Sequence, residues 1–213
     1  MNQVRIAKEG VMRTNRRSVL VTVVVSLTVL FSMMFRLPVV QGAADHVRWD
    51  IISLDFTTLT VSAGGIASAI AQDGSHITLT GSGTFVAPAG GDGTSSATTG
   101  GGTWQAFAPG AITPSASGTY LVTGLVRWEE APGTFPANVD AIDDVAEAHG
   151  GLAVLRIEFS DGSPGVLTVS CHFNGTPNSV FEGIRVTKGY VDYWNGTAPV
   201  GGVNANRTAF HVN

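Results

Sequence analysis

The chain has 213 residues, of which 44% are hydrophobic and 13% charged, and its formal net charge is −4. Six of the 12 Lys and Arg residues but only one of the 16 Asp and Glu residues lie in residues 1–44, so residues 45–213 carry a net charge of −9 with His neutral. A segment this poor in basic residues lacks the positive surface that nucleic acids bind, and anionic lipids repel it. We therefore expect no nucleic-acid partner, and contact with a membrane only through the N-terminal segment.

Residues 1–44 have the pattern of an export signal. Five basic residues precede the apolar run VLVTVVVSLTVLFSMMF, and the small-residue stretch QGAAD follows it. A basic start, an apolar middle and small residues at a cleavage position are typical of secretory signal peptides. We predict cleavage after Gly42 or Ala44 and a secreted or extracytoplasmic domain. The apolar run, residues 19–35, also reaches the short limit of a spanning helix, so an uncleaved membrane anchor is the alternative.

Residues 45–213 are long enough for one domain, and most of them alternate between apolar and polar residues. Gly, Asn, Asp and Pro separate the alternating segments, which is typical of strands joined by turns. The pattern predicts an all-β domain, a single antiparallel barrel or sandwich of about seven or eight strands. The stretch at 88–103 is rich in Gly, Ser and Thr and predicts a flexible surface loop. The predicted strands are 48–56, 75–87, 103–107, 117–130, 152–159, 166–173 and 179–194, with a further short strand over 207–212.

Two short glycine-containing segments of the sequence resemble strands of known β-barrel proteins. GSGTF (81–85) and SGTYLVTG (117–124) are similar to the glycine-rich strands of dirigent and allene-oxide-cyclase barrels. Glycine inside strands suits the strong coiling of a small closed barrel. The resemblance is confined to these short stretches, so it implies a barrel and carries no function.

One segment departs from the alternating pattern. In ANVDAIDDVAEAHGG, residues 137–151, apolar residues recur at roughly helical spacing. Asn138 can cap the start of a helix, and Gly150 or Gly151 can end it. The segment therefore predicts one short helix.

Cys171 is the only cysteine of the chain, so it cannot form an internal disulfide. It shares one strand face with Leu167, Val169 and Phe173, whereas its neighbour His172 points to the opposite face. We predict a buried, unreactive thiol rather than a nucleophile with His172 as its base. No metal site is predicted, because there is no second cysteine and no histidine at ligand spacing.

Two predicted strands share an apolar-x-Arg-x-Glu pattern, in LVRWE (125–129) and VLRIE (154–158). If these strands pair antiparallel, Arg127 would lie near Glu158 and Arg156 near Glu129. One interpretation is a solvated ladder of ion pairs, and the other is the polar floor of a barrel interior. In the second case the candidate catalytic residues of a small-barrel enzyme, of cyclase or isomerase type, are Arg127, Glu129, Arg156, Glu158 and His172.

The segment KGYVDYWNG, residues 188–196, places Tyr190, Asp192 and Trp194 on one face of a strand. Two aromatic rings with a carboxylate between them suit a sugar or another amphiphilic ligand, and the alternative is aromatic core packing with Asp192 at the rim. We predict a non-catalytic binding module for a small ligand or extracellular glycan, with these three as the ligand-binding residues. The alternatives are the small-barrel enzyme and a structural envelope or matrix protein. The sequence contains no metal, nucleotide or flavin motif, and we expect no cofactor.

Overall fold

The computed structural model describes residues 44–88, 94–135, 139–197 and 206–213. Residues 1–43 of the predicted export signal and residues 89–93 of the predicted surface loop therefore lie outside the described residues. Every described residue belongs to one compact unit, Gly42–Asn213. Within that part of the chain, no helix is both long and apolar enough to cross a membrane.

The described residues form fourteen β-strands and one short 3-10 turn. The prediction of an all-β domain is confirmed, and of the paired strands only β2 and β8 run parallel. In chain order the strands are β1 (His46–Asp55), β2 (Thr60–Ala63), β3 (Ala67–Ile70), β4 (His76–Leu79), β5 (Ser82–Val86), β6 (Gly101–Phe107), β7 (Ala116–Ala131), β8 (Val139–Asp140), β9 (Ala148–Phe159), β10 (Pro164–Cys171), β11 (Gly183–Lys188), β12 (Val191–Tyr193), β13 (Asn195–Thr197) and β14 (Arg207–Val212).

Six of these strands close into an antiparallel barrel. The pairs follow the order β1–β5–β6–β7–β9–β14, and β14 pairs back with β1. Further strands extend the sheet on both sides, with β10, β11 and β12 continuing from β9, and β4, β3 and β13 continuing from β6. Of the two predicted architectures, barrel and sandwich, the barrel is therefore correct.

The described residues contain more strands than the predicted seven or eight for two reasons. Turns divide two of the predicted segments, and four strands, β2, β3, β8 and β13, lie outside all of them. The segment 179–194 gives β11 and β12, which are separated by a turn at Gly189 with φ +57°. Glycine adopts this left-handed conformation without the steric cost that a Cβ would bring. The segment 75–87 similarly divides into β4 and β5.

Aromatic and aliphatic side chains fill the barrel. The rings of Trp128 and Phe210 lie 4.6 Å apart between centroids, and those of Phe85 and Trp128 lie 5.5 Å apart. Trp49 and Tyr120 are also fully buried. Burial of one such side chain contributes about 1.5–3 kcal/mol, so these rings stabilise the closed barrel.

Two β-bulges in β7 interrupt its alternation. The register with β9 shifts between Val122 and Gly124, and again between Leu125 and Arg127. Strict alternation from Tyr120 predicts Val126 inside the barrel, but Leu125 is buried and Val126 is 38% exposed. Each bulge adds an extra residue, which exchanges the inward and outward positions that follow it.

Residues 139–151, the described part of the segment predicted as a helix, do not form one. The strand β8 lies near their start, a 3-10 turn follows at Val145–Glu147, and β9 begins directly after it. Asn138, the predicted cap, lies outside the described residues. Gly150 and Gly151, which were predicted to end the helix, are buried inside β9.

Aspartate side chains explain why turns replace the helix. Asp140 Oδ1 accepts a hydrogen bond from the backbone N–H of Ile142 at 2.9 Å, and Asp144 Oδ1 accepts one from Ala146 at 2.9 Å. Such local bonds satisfy the backbone in turns and compete with helical hydrogen bonds. The second oxygen of Asp140 lies 2.8 Å from His211 Nε2 and so fastens this segment to β14.

Candidate functional site

The three residues that were predicted to bind a ligand lie along one open cavity. Its volume is about 350 Å³. Its wall combines two aromatic rings, two carboxylates, one amide and two small apolar side chains. The lining residues are Ala71, Gln72, Asp73, Tyr190, Val191, Asp192 and Trp194.

The hairpin between β11 and β12 presents the aromatic wall. Lys188 pairs with Val191, so the loop contains only Gly189 and Tyr190, and a glycine at the first loop position is typical of type II′ turns. Tyr190 at this tip is fully exposed, and Trp194, just beyond β12, is 51% exposed. The alternative interpretation, in which these rings pack into the core, is therefore wrong.

A second tyrosine shows how β12 orients this wall. Tyr193 is buried in the core, whereas its neighbours Asp192 and Trp194 are exposed. Neighbouring residues of a strand point to opposite faces, so burial of Tyr193 holds Asp192 and Trp194 on the solvent side. The core thus fixes the direction of the residues that line the cavity.

The turn between β3 and β4 forms the opposite wall. Asp73 Oδ1 accepts hydrogen bonds from the backbone N–H of Ser75 at 2.9 Å and from its hydroxyl at 2.6 Å. These bonds lower the pKa of Asp73. Pairing of Asn195 in β13 with Ile70 in β3 brings this turn beside the end of β12.

The cavity is acidic. Asp192 has no hydrogen-bond or ion-pair partner among the residues that the structure describes, and no Lys or Arg lines the cavity. Lys188, close in sequence, is bound elsewhere: it forms an ion pair with Asp161, and its Nζ lies 4.4 Å from the centroid of the Trp104 ring. The carboxylates of Asp73 and Asp192 therefore face solvent, and no basic side chain of the cavity wall neutralises their charge.

The predicted crossed ion pairs between β7 and β9 do not form. The two strands are antiparallel neighbours, as expected, but Arg127 lies opposite Val154 rather than Glu158. The four-residue difference corresponds to about 13 Å along a strand. Arg127 Nη2 instead lies 2.9 Å from Glu129 Oε1 on its own strand, and these side chains are 57% and 44% exposed.

Core packing, rather than surface charge, explains this register. Tyr120 pairs with Phe159 and Leu125 with Leu155, and all four side chains are buried. A shift by four residues would separate these apolar partners, whereas an exposed ion pair contributes only about 0–1 kcal/mol. Relative to the Tyr120–Phe159 pair, the two bulges of β7 shift the register by two residues in total, so that Arg127 lies opposite Val154 rather than Leu152.

The other candidate catalytic residues of these strands also face solvent. Arg156 is exposed and lies over Gly124, where an added Cβ would approach its Nη2 to 2.8 Å. Glu158 is exposed and lines a second open cavity of about 280 Å³, together with Leu121 and Ser160. The structure thus places Arg156 and Glu158 outside the barrel and does not bring them together with Arg127 and Glu129 in a polar interior.

Cys171 is fully buried, as its strand register predicts. Its Sγ donates a hydrogen bond to the carbonyl oxygen of Thr208 at 3.0 Å. Burial raises the thiol pKa well above its usual value, and the nearby charge of Glu182 adds to the effect. His172 Nδ1 lies 2.8 Å from the carbonyl oxygen of Val180, so its ring is directed away from the thiol.

Glu182 is a polar residue that the sequence analysis missed. Its carboxylate accepts hydrogen bonds from the backbone N–H of His172 at 2.6 Å and of Thr208 at 2.8 Å. Burial raises the pKa of Glu182 to about 7. It lines a cavity of about 40 Å³ together with Arg207, His172, Thr208 and apolar side chains, and this cavity has room for about one or two water molecules. No local pattern identifies Glu182, because its partners lie 10 and 26 residues away.

Nothing in the described ranges brings together three His, Cys, Asp or Glu side chains that could hold a metal ion. No protein-family model matches the chain, and neither a curated protein nor a solved structure shows significant similarity to it.

Proposed function

We propose that the β domain is a non-catalytic binding module that holds a glycan in the cavity between the β3–β4 turn and the β11–β12 hairpin. The observation that carries this proposal is the exposure of Tyr190 and Trp194, with Asp192 between them on the same side. Large aromatic rings left in water can recover the free energy of burial when a ligand covers them.

The chemistry of the cavity suits a sugar ring. A sugar has apolar C–H faces, which stack on aromatic rings, and hydroxyl groups along its edge, which bond to carboxylates and amides. The side chains of Gln72, Asp73 and Asp192 supply such polar groups beside the two rings. A volume of about 350 Å³ lies within the usual range of about 300–1,000 Å³ for ligand sites, and the open shape admits one unit of a longer chain.

The enzyme alternative receives less support. Four of its five candidate residues lie on the solvent face, and the barrel interior contains packed aromatic side chains. His172 lines the small cavity beside Glu182, away from the other four. No observation favours the structural envelope or matrix alternative over a binding module.

We also propose that this domain acts outside the cytoplasm, on the basis of the export pattern of residues 1–44. Mass spectrometry of the secreted protein should find a chain that begins between Ala43 and Asp45. A full-length product retained in the membrane would instead support the anchor of residues 19–35.

Screening of the purified protein on a glycan array, followed by calorimetric titration of the best binders, tests the proposed function. We expect Tyr190→Ala and Trp194→Ala each to weaken binding by about tenfold or more, the loss of one aromatic contact. Phe56→Ala is the matched control, because Phe56 is 53% exposed and does not line the cavity. Absence of binding to every glycan, or an equal loss in the Phe56 variant, would contradict the proposal.

A further inference from the structure

We propose that the cavity selects glycans whose sugar units carry protonated amino groups, an inference that rests on the proposed function and names its ligand class. The cavity contains two aspartates, and none of its lining residues is basic. Selection for a cationic sugar follows from how these carboxylates and the two aromatic rings are arranged.

The two carboxylates supply the charge. Asp192 is exposed and has no partner among the described residues, and Asp73 uses Oδ1 for both hydrogen bonds from Ser75. Asp73 Oδ2 is therefore left to face a ligand. The bonds from Ser75 stabilise the ionised carboxylate, because hydrogen bonds to the charged form favour it.

The aromatic rings add a second attraction for the same ligand charge. The face of a tyrosine or tryptophan ring carries negative potential and attracts an ammonium group within about 6 Å of its centre. Tyr190 and Trp194 line the cavity together with the two aspartates, so a sugar that stacks on a ring brings its substituents close to carboxylates. Stacking and charge thus act on one amino sugar at once.

The charge of the domain disfavours acidic sugars. Residues 45–213 carry a net charge of −9, and like charges repel at the short distances of a binding site. A neutral sugar can stack on the rings but leaves both carboxylates without a cationic partner. An amino sugar is the class that satisfies the rings and the carboxylates together.

Three probes separate these possibilities in calorimetric titrations at mildly acidic pH: a glucosamine hexamer, the corresponding N-acetylglucosamine hexamer, and spermine. The wild-type protein should bind the glucosamine hexamer about tenfold more tightly than its acetylated counterpart, a difference of the size expected for one cation–π or charge contact. The preference should weaken as salt concentration rises.

Variants that remove one carboxylate from the cavity test whether the cavity is the source of this preference. Asp192→Asn and Asp73→Asn should each reduce the preference, and Asn at 73 retains an oxygen that can accept the bonds from Ser75. Asp55→Asn is the matched control, because Asp55 makes the same type of turn, with its Oδ1 accepting from Thr57 at 2.7 Å, outside the cavity. That control should keep the full preference.

Each outcome decides between the two proposals. Equal affinity for the two hexamers would overturn the selection of amino sugars and leave the binding module in place. Failure of both hexamers to bind would overturn the selection of amino sugars, and the glycan array described above would then decide the proposed function separately. Displacement of the glucosamine hexamer by spermine at equal affinity would overturn the assignment to a sugar, because the site would then recognise charge alone.

Discussion

Replacement of Glu182 by Gln should change how the stability of the protein depends on pH. Glu182 is held by two backbone N–H groups, and burial raises its pKa from 4.5 to about 7. Between these two values the folded protein keeps a proton on Glu182 that the unfolded chain releases. The free energy of unfolding therefore falls as the pH rises through this window and levels off above it.

The size of this effect follows from the shift in pKa. One pKa unit corresponds to 1.36 kcal/mol, so the shift of Glu182 is equivalent to about 3 kcal/mol between its two limits. The nearby Arg207 opposes burial, because a positive charge favours the carboxylate. Gln at this position does not titrate, and its loss of one hydrogen bond lowers stability equally at all pH values.

Urea unfolding of the wild-type protein and of Glu182→Gln, measured from about pH 4 to about pH 8, isolates this contribution. The difference in unfolding free energy between the two should change by about 3 kcal/mol in favour of the variant as the pH rises. Glu158→Gln is the control, since Glu158 is exposed and no comparable change is expected. Parallel pH profiles for the wild type and Glu182→Gln would refute the assignment.

Two further predictions concern buried and exposed polar groups. The thiol of Cys171 should react with a labelling reagent only after unfolding, because it is fully buried, and rapid labelling of the native protein would contradict this. In double-mutant cycles, Arg127→Ala with Glu129→Ala should show a coupling below about 1 kcal/mol, as expected for an exposed pair. The pair Asp140 and His211, with both side chains 1% exposed, should give a larger coupling of about 1–3 kcal/mol, and equal couplings would contradict the role of burial.

The strands could be predicted from the sequence because alternation reports directly on which side chains face the core. Cys171 shows this, since its place in register with three apolar residues predicted its burial. Closure of the barrel could not be predicted, because β1 and β14 lie at opposite ends of the domain and pair over residues 47–52 and 207–212. The bulges of β7 were also missed, although Gly124 lies at the first of them and glycine inside a strand often marks a bulge.

The predicted helix failed because its apolar spacing was not a buried stripe. Val139 and Val145 are 52% and 42% exposed, and the aspartates between them form turns. Helical spacing in a short segment with several aspartates is therefore weak support for a helix, because side-chain bonds to the backbone compete with it.

The aromatic wall of the cavity could be predicted from the sequence, and the opposite wall could not. Period-two alternation placed Tyr190, Asp192 and Trp194 on one face, and their side chains line one cavity. Gln72 and Asp73 come from a turn far earlier in the chain, and only the pairing of β13 with β3 brings them there. No local pattern records such a contact.

An NMR titration of the isotopically labelled protein with its best glycan binder tests the central claim most directly. We predict that the largest chemical-shift changes fall on residues 71–73, 190–192 and 194, which line the cavity. The indole N–H of Trp194 should be among the affected signals, because a stacked sugar covers its ring. Changes confined to the open cavity around Leu121 and Glu158 would contradict the claim.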